Sequence, residues 1–260
     1  MSFKELPIMS DKKKGSLLFY PYISKKSAQN IKRILSTRWI GQGPMVDKFE
    51  NKFQKVFAKK NFALATGSGT DSLHLAYLLA GIKKGDEVIT TVFTCTATNI
   101  PLLYIGAKIK FADIDPRTMN ISIPSVKKLI SKKTKAIVCV HYGGLPCEMD
   151  ELKKLSKKYK IPIIEDAAHA MGARYKGKTI GSISDFTTFS FQAIKHFTTG
   201  DGGMLTIKDK NLLKKGKRLR WFGIDREGKQ NGTWENDVYE TGYKYQMTDI
   251  AATLGFDSLL

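Results

Sequence analysis

The sequence is short of cysteine, of acidic residues and of long apolar runs. Only Cys95, Cys139 and Cys147 occur among 260 residues, an odd number with no C-x-x-C pair. That argues against a disulfide framework and a structural zinc site, so no metal is expected. No apolar stretch approaches the ~20 residues that span a bilayer, so no membrane partner is expected. The polar segment from Met1 to Lys14 lacks the apolar core of a secretory signal, and the expected location is the cytoplasm. Acidic residues number 24 against 43 basic ones, a net charge of +19. Such an excess can mark a nucleic-acid surface. Here it is lysine scattered in pairs, such as Lys83-Lys84, Lys132-Lys133, Lys153-Lys154 and Lys214-Lys215. Neither interleaved aromatics nor zinc-finger spacing accompanies them. The charge reads as a solvated face able to attract an anionic substrate, and no nucleic-acid partner is expected.

What is present is periodicity. Ile31, Ile34 and Leu35 give Ser27–Ser36 helical spacing, Gly41-Gln42-Gly43-Pro44 breaks the chain, and Val46, Phe49, Phe53 and Val56 make Val46–Phe57 amphipathic. From Phe62 strands and helices alternate. The strands are 62–65, 87–91, 108–112, 136–140, 162–165, 186–191 and 204–207; the helices between them are 71–79, 96–105, 123–129 and 149–159. Cys139 falls inside a strand, as a small core residue. A polar segment, 1–19, thus leads into one α/β domain, 20–260, with a mostly parallel sheet flanked by helices. Functional groups in such a sheet gather beyond the carboxyl ends of its strands.

Three segments there carry chemistry. Gly67-Ser68-Gly69-Thr70-Asp71 joins a strand to a helix. Its glycines let backbone amides approach an anion at a helix start, although such a turn is often only a turn. It has neither the P-loop nor the dinucleotide-fold spacing. Ile163-Ile164-Glu165-Asp166-Ala167-Ala168-His169 ends a strand in two carboxylates. Side chains alternate along a strand, so one of the two can face a pocket, with small alanines beside it leaving room for a flat ring. The third runs from Phe189 to Gly203 and sets Lys195 among apolar and small residues before a Gly-rich turn. Desolvation makes a lysine amine a nucleophile for Schiff-base chemistry; in so lysine-rich a chain, only the neighbours single this one out. Ser190, five residues earlier, is a candidate phosphate ligand. A phosphate cradle, a carboxylate for a pyridinium nitrogen and a Schiff-base lysine are the parts a pyridoxal 5′-phosphate (PLP) enzyme needs.

The order GSGTDSLHLA, GDEVITTVFTCTATN, FADIDPRTMNI, IIEDAAHAMGARYKG, FSFQAIKHFTTGDGG and GYKYQMTDIAATLG resembles the DegT/DnrJ/EryC1/StrS family. These are PLP-dependent sugar-nucleotide aminotransferases of fold type I, and the likeness runs from about Tyr20 to Leu260. It implies a PLP-binding large domain built on a seven-stranded sheet, with a smaller C-terminal domain beyond Leu260. It implies that Lys195 carries the cofactor and moves the proton between substrate and cofactor. Asp166 would pair with the pyridinium nitrogen, His169 would sit near the ring, and Gly69, Thr70 and Ser190 would hold the phosphate. Cys95 stands where many relatives place an aromatic over the ring, with Phe93 as an alternative cover. Lys244 stands where relatives carry an asparagine that reaches the phosphate across a dimer interface. A homodimer is therefore implied, with glutamate as amino donor and a keto-sugar nucleotide as acceptor in a ping-pong reaction. Relatives with histidine in place of the lysine are dehydratases; Lys195-His196 keeps the aminotransferase register. A dehydratase-type reaction on the same cofactor, and a chain that binds cofactor without turnover, remain alternatives. Arg220 and Arg226, read as lying on loops, either meet a diphosphate or donor carboxylate or are simply solvated.

Overall fold

The computed structural model describes residues 22–226, 228, 232 and 238–259. Two helices come first, α1 (Ser27–Thr37) and α2 (Pro44–Phe53). The helix expected to reach Phe57 instead widens after Phe53 into a π-helical turn, Gln54–Ala58, and Phe57 packs 5.0 Å from the Phe53 ring centroid. Strand β1 (Phe62–Thr66) then leads into helix α3 (Gly69–Leu79). The chain continues through β2 (Glu87–Thr91), α4 (Thr96–Ile105), β3 (Lys108–Ala112), α5 (Ile123–Leu129), β4 (Thr134–Val140), α6 (Met149–Tyr159) and β5 (Ile163–Asp166). A short hairpin, β6 (Arg174–Tyr175) and β7 (Lys178–Thr179), precedes β8 (Phe186–Ser190) and β9 (Gly203–Ile207). Helices α7 (Lys210–Arg220) and α8 (Asp249–Ser258) close the described fold.

Seven strands form one sheet in the order β1-β9-β8-β5-β4-β2-β3. Every pairing from β8 to β3 is parallel, and β9 runs antiparallel to both its neighbours. Both faces are covered, which is why β2, β5 and β9 are buried along their whole length. The pleat divides the core in two. Ile137 and Cys139 of β4 join Phe49, Phe53, Phe189 and Phe191 on one face. Ala136 and Val138 join Leu64, Leu75, Tyr77 and Leu205 on the other.

Two polar contacts lock the first helices to the end of the chain. Asp249, 2 % exposed, accepts the amides of Gly43 (2.9 Å) and Val46 (3.0 Å) on Oδ1 and of Met45 (3.2 Å) on Oδ2. It caps α2 from another helix, because α2 has no side-chain cap of its own. Glu50 pairs with Arg220 at 2.5 Å, and the same carboxylate oxygen accepts the Ala65 amide at 2.8 Å. Arg220 thus lies buried at the end of α7, not on an exposed loop as its sequence neighbourhood suggests.

Candidate active site

Since β9 opposes both β1 and β8, those two strands point the same way, as does β5. The carboxyl ends of all three therefore share one edge of the sheet, and each carries one of the three motifs.

At the end of β1, Ser68 caps α3 by accepting the Asp71 amide on Oγ (3.0 Å). Gly69 and Thr70 follow as the first helical residues, and amides of a first turn have no partner inside their helix. The Gly69 backbone lies against the end of β8: a Cβ added there would stand 2.9 Å from Ser190 Cβ and 3.2 Å from its Oγ. Gly203, opening β9, passes under the turn so closely that a Cβ would meet the Ser68 carbonyl oxygen at 2.3 Å. These close approaches set Gly69 against Ser190, with the Gly69 and Thr70 amides opening the helix beside it, a corner suited to an anion. Asp71 lies beside it. Burial pushes its carboxyl up to about 6, against the lowering effect of its bonds to Ser68, and the charge of Asp201 adds to the rise.

At the end of β5 the alternation decides between the two carboxylates. Glu165 is fully buried: Oε1 accepts from the Ser184 amide (3.1 Å) and Thr187 Oγ1 (3.0 Å), and Oε2 lies 2.8 Å from His141 Nε2. His141 Nδ1 accepts the Cys147 amide at 3.1 Å, which places the imidazole proton on Nε2, donated to Glu165. Glu165 is therefore a structural anchor. Asp166 faces the other way. Its Oδ2 accepts from Thr98 Oγ1 (2.7 Å) and its Oδ1 from the Ala168 amide (3.1 Å), which fixes the carboxylate plane while each oxygen keeps a second lone pair. Thr98 is itself bonded to Thr94 Oγ1 at 2.7 Å. Thr98 falls within the segment Gly85–Asn99, where nothing in the residue pattern signals that it orients Asp166.

Lys195 sits half-buried in the connection from β8 to β9, where its amide closes a turn onto the Gln192 carbonyl (2.9 Å). Partial burial and then the Lys195 charge hold His169 below its usual range, partly opposed by the charge of Asp166. Beside it stands an aromatic wall: Tyr142 is 6.2 Å from the His169 ring and 4.5 Å from Phe93. Cys95 is exposed at the N-cap of α4. Tyr142 was not singled out by its sequence, because it follows β4 in a short Tyr-Gly-Gly turn without a pattern of its own. Lys244 precedes Tyr245, whose carbonyl accepts the Gly67 amide at 2.8 Å. The Lys244 side chain is exposed, with the ammonium 4.7 Å from the centroid of Trp221.

Residues 21–260 match the DegT/DnrJ/EryC1/StrS aminotransferase family. The chain belongs to this family. It is 39% identical over 243 residues to the spore coat polysaccharide biosynthesis protein SpsC of Bacillus subtilis, covering 92% of this chain and 62% of that protein. It is 37% identical over 246 residues to GDP-perosamine synthase of Escherichia coli O157:H7, covering 93% and 65%. Among solved structures, the putative sugar aminotransferase Spr1654 of Streptococcus pneumoniae in its PMP form superposes with a TM-score of 0.84 at 31% identity, covering 93% and 66%. The chain thus spans just under two thirds of the length of these curated relatives. The family is PLP-dependent, and its fold, a mostly parallel seven-stranded sheet flanked by helices, is the one found here. The corner at Gly69 and Ser190, which a side chain at 69 would fill, and the buried, oriented Asp166 fit a phosphorylated pyridine. No helix among the described residues is long and apolar enough to cross a membrane.

Proposed function

We propose that the protein is a PLP-dependent aminotransferase that moves an amino group from an amino acid, glutamate, to a keto-sugar nucleotide. The donor leaves as a keto acid and the acceptor as an amino sugar, in two half-reactions at one site. The observation that supports this reading is the shared sheet edge: anion corner, oriented carboxylate and lysine follow the carboxyl ends of three strands, β1, β5 and β8, that point the same way. Bound PLP supplies an electron sink and carries the amino group between the two substrates. The Gly69 and Thr70 amides and Ser190 Oγ hold its phosphate. Asp166, braced by Thr98, keeps the ring nitrogen protonated. Lys195 Nζ holds the cofactor and transfers the proton at the substrate carbon. His169, Tyr142 and Phe93 bound the ring's surroundings, so the small thiol of Cys95 need not cover it alone.

We take the active unit to be a homodimer. Leu103 and Tyr104 of α4 are 57% and 67% exposed, an apolar face of the kind that partners cover. Lys244 would then serve the partner's phosphate. The first test is an absorbance spectrum of the purified chain with PLP, before and after glutamate. A visible band that shifts on adding glutamate is expected, and Lys195→Ala abolishes it. A band that persists in Lys195→Ala refutes the assignment; one that ignores glutamate favours cofactor binding without turnover.

A further inference from the structure

A cavity of about 570 Å³ opens between one side of α6 and the β6–β7 hairpin. It reaches the edge of the sheet opposite the three motifs: Ile163 opens β5, Asp185 immediately precedes β8, and Lys208 immediately follows the antiparallel β9. None of Gly69, Asp166, Ser190 and Lys195 is among the described residues that line it. Ile163 and Ile183, both buried, give the lining an apolar floor, and Tyr175 of the hairpin adds a ring.

The carboxylates of the lining are already engaged. Asp150 takes Lys176 at 2.5 Å, Glu151 takes Lys154 at 2.6 Å, Asp185 lies 3.9 Å from Lys208, and Glu148 accepts from the Tyr175 hydroxyl at 3.4 Å. That leaves Lys153 and Lys157. They stand one turn apart on the exposed side of α6, and neither forms an ion pair among the described residues. Asp150 is held below its usual range first by its bond to Lys176, and the charge of Lys153 adds to this without contact. One hydroxyl of the lining is unspent as well. Ser184 is 4 % exposed; its amide donates to Glu165 Oε1 (3.1 Å) and its carbonyl accepts from Asn61 Nδ2 (3.2 Å). Its Oγ is buried with no partner among the described residues. A buried O–H without an acceptor is costly, so a ligand that brings the acceptor gains by it.

We infer that this cavity binds a phosphate monoester, at a site remote from the proposed cofactor corner. Two uncommitted ammonium groups match a dianion, and the phosphoryl oxygens accept from both and from Ser184 Oγ. A carboxylate brings one charge and two oxygens, and meets fewer of these donors. The cavity is in the size range of sites for whole organic ligands, far roomier than a bare phosphate needs. An organic body therefore has room against Ile163, Ile183 and the Tyr175 ring. Over the lining as a whole five lysines and four carboxylates nearly cancel. Selection thus rests on the three unspent groups, not on a broad positive field. Glu165 separates Ser184 from Asp166, because its side chain points away from that of its neighbour. The site stands or falls independently of the aminotransferase reading.

The test is calorimetric titration of the whole chain, in saturating PLP, with phenyl phosphate, inorganic phosphate and benzoate. Phenyl phosphate is expected to bind saturably, about tenfold more tightly than either of the others and more weakly at high salt. Lys153→Ala and Lys157→Ala, both at exposed positions, should each weaken it about tenfold, and Ser184→Ala about fivefold. Ser184→Ala should keep its Tm, because the hydroxyl bonds to nothing in the described fold. Ser190→Ala, in the cofactor corner, should leave phenyl phosphate affinity as it is. No saturable binding, or unaltered affinity in all three of the lysine and Ser184 variants, overturns the proposal. So does affinity lost in Ser190→Ala, which would put the ligand in the cofactor corner. Inorganic phosphate or benzoate binding as tightly as phenyl phosphate also overturns it. A missing PLP band with this pattern of binding intact would refute the aminotransferase reading and leave the site standing.

Discussion

Replacing Gly69 by alanine puts a methyl carbon 2.9 Å from Ser190 Cβ and 3.3 Å from its Cα. Carbon atoms settle about 3.5–4.0 Å apart, so α3 and the end of β8 must separate by on the order of 0.6–1 Å. Both partners are backbone-anchored, and neither can swing away like the tip of a long side chain. Overpacking of this kind costs about 1–3 kcal/mol. Alanine returns up to about 1 kcal/mol in helix propensity. A net loss of about 1 kcal/mol lowers Tm by about 2–4 °C in a chain of this size. The effect on cofactor should be larger. The displaced first turn no longer aims its amides at the phosphate, and losing one charge-assisted hydrogen bond is worth about 1.5–3 kcal/mol. PLP affinity should therefore fall about 10- to 150-fold. Ser190→Gly removes the Cβ that the new methyl meets. In the double variant the Tm loss should shrink, although PLP affinity does not return, because the Ser190 hydroxyl is gone. Thermal melts and PLP titrations of the four proteins close the cycle. Wild-type PLP affinity in Gly69→Ala, or melting changes that simply add, would refute the close-approach argument.

Other expectations follow from the buried polar contacts. Asp249→Ala strips three amides of α2 of their acceptor and should cost about 2–4 kcal/mol, read as a lower urea midpoint; an unchanged midpoint would mean that water caps the helix equally well. Asp71 binds its proton more tightly folded than unfolded, at about 6 against an ordinary 3.8. The stability this contributes is present below about pH 4 and is lost as pH rises through 6. Asp71→Asn should then raise Tm relative to wild type at pH 7.5 and gain little at pH 4, and the same gain at both would remove burial of the charge as the cause.

The alternation of apolar strands and helices made the layered fold legible, because each strand is buried on both faces and each carries its own punctuation. Helices α4, α5 and α6 begin and end where their spacing and turn residues place them. Helix α7 was harder to see: its lysine-rich sequence hides Leu219 and Gly216, the latter set so that an added Cβ would be 3.0 Å from Leu64. Missing α7 is also why Arg220 reads as a loop residue. Strand alternation made it clear that Glu165 and Asp166 diverge, but not which one faces the site. That depended on Thr98, His141 and Thr187, which lie on other elements. Gly69 and Ser190 were each visible in their own motifs; that they touch follows from β9 passing between β1 and β8 in the sheet.

That strand order has a consequence for how the chain is made. Within the sheet β1 has one neighbour, β9, with Phe62 opposite Ile207. On a ribosome β1 emerges early and must wait for the stretch from Gly67 to Ile207 before its edge is closed. Until then Leu64 and Ala65, buried in the finished fold, lie along an open strand. The phosphate corner depends on the same closure, so the cofactor can recognise only chains in which β9 has gone in. PLP supplied during refolding should therefore act late, as a clasp on molecules already threaded, and should not speed the search that brings the two strands together.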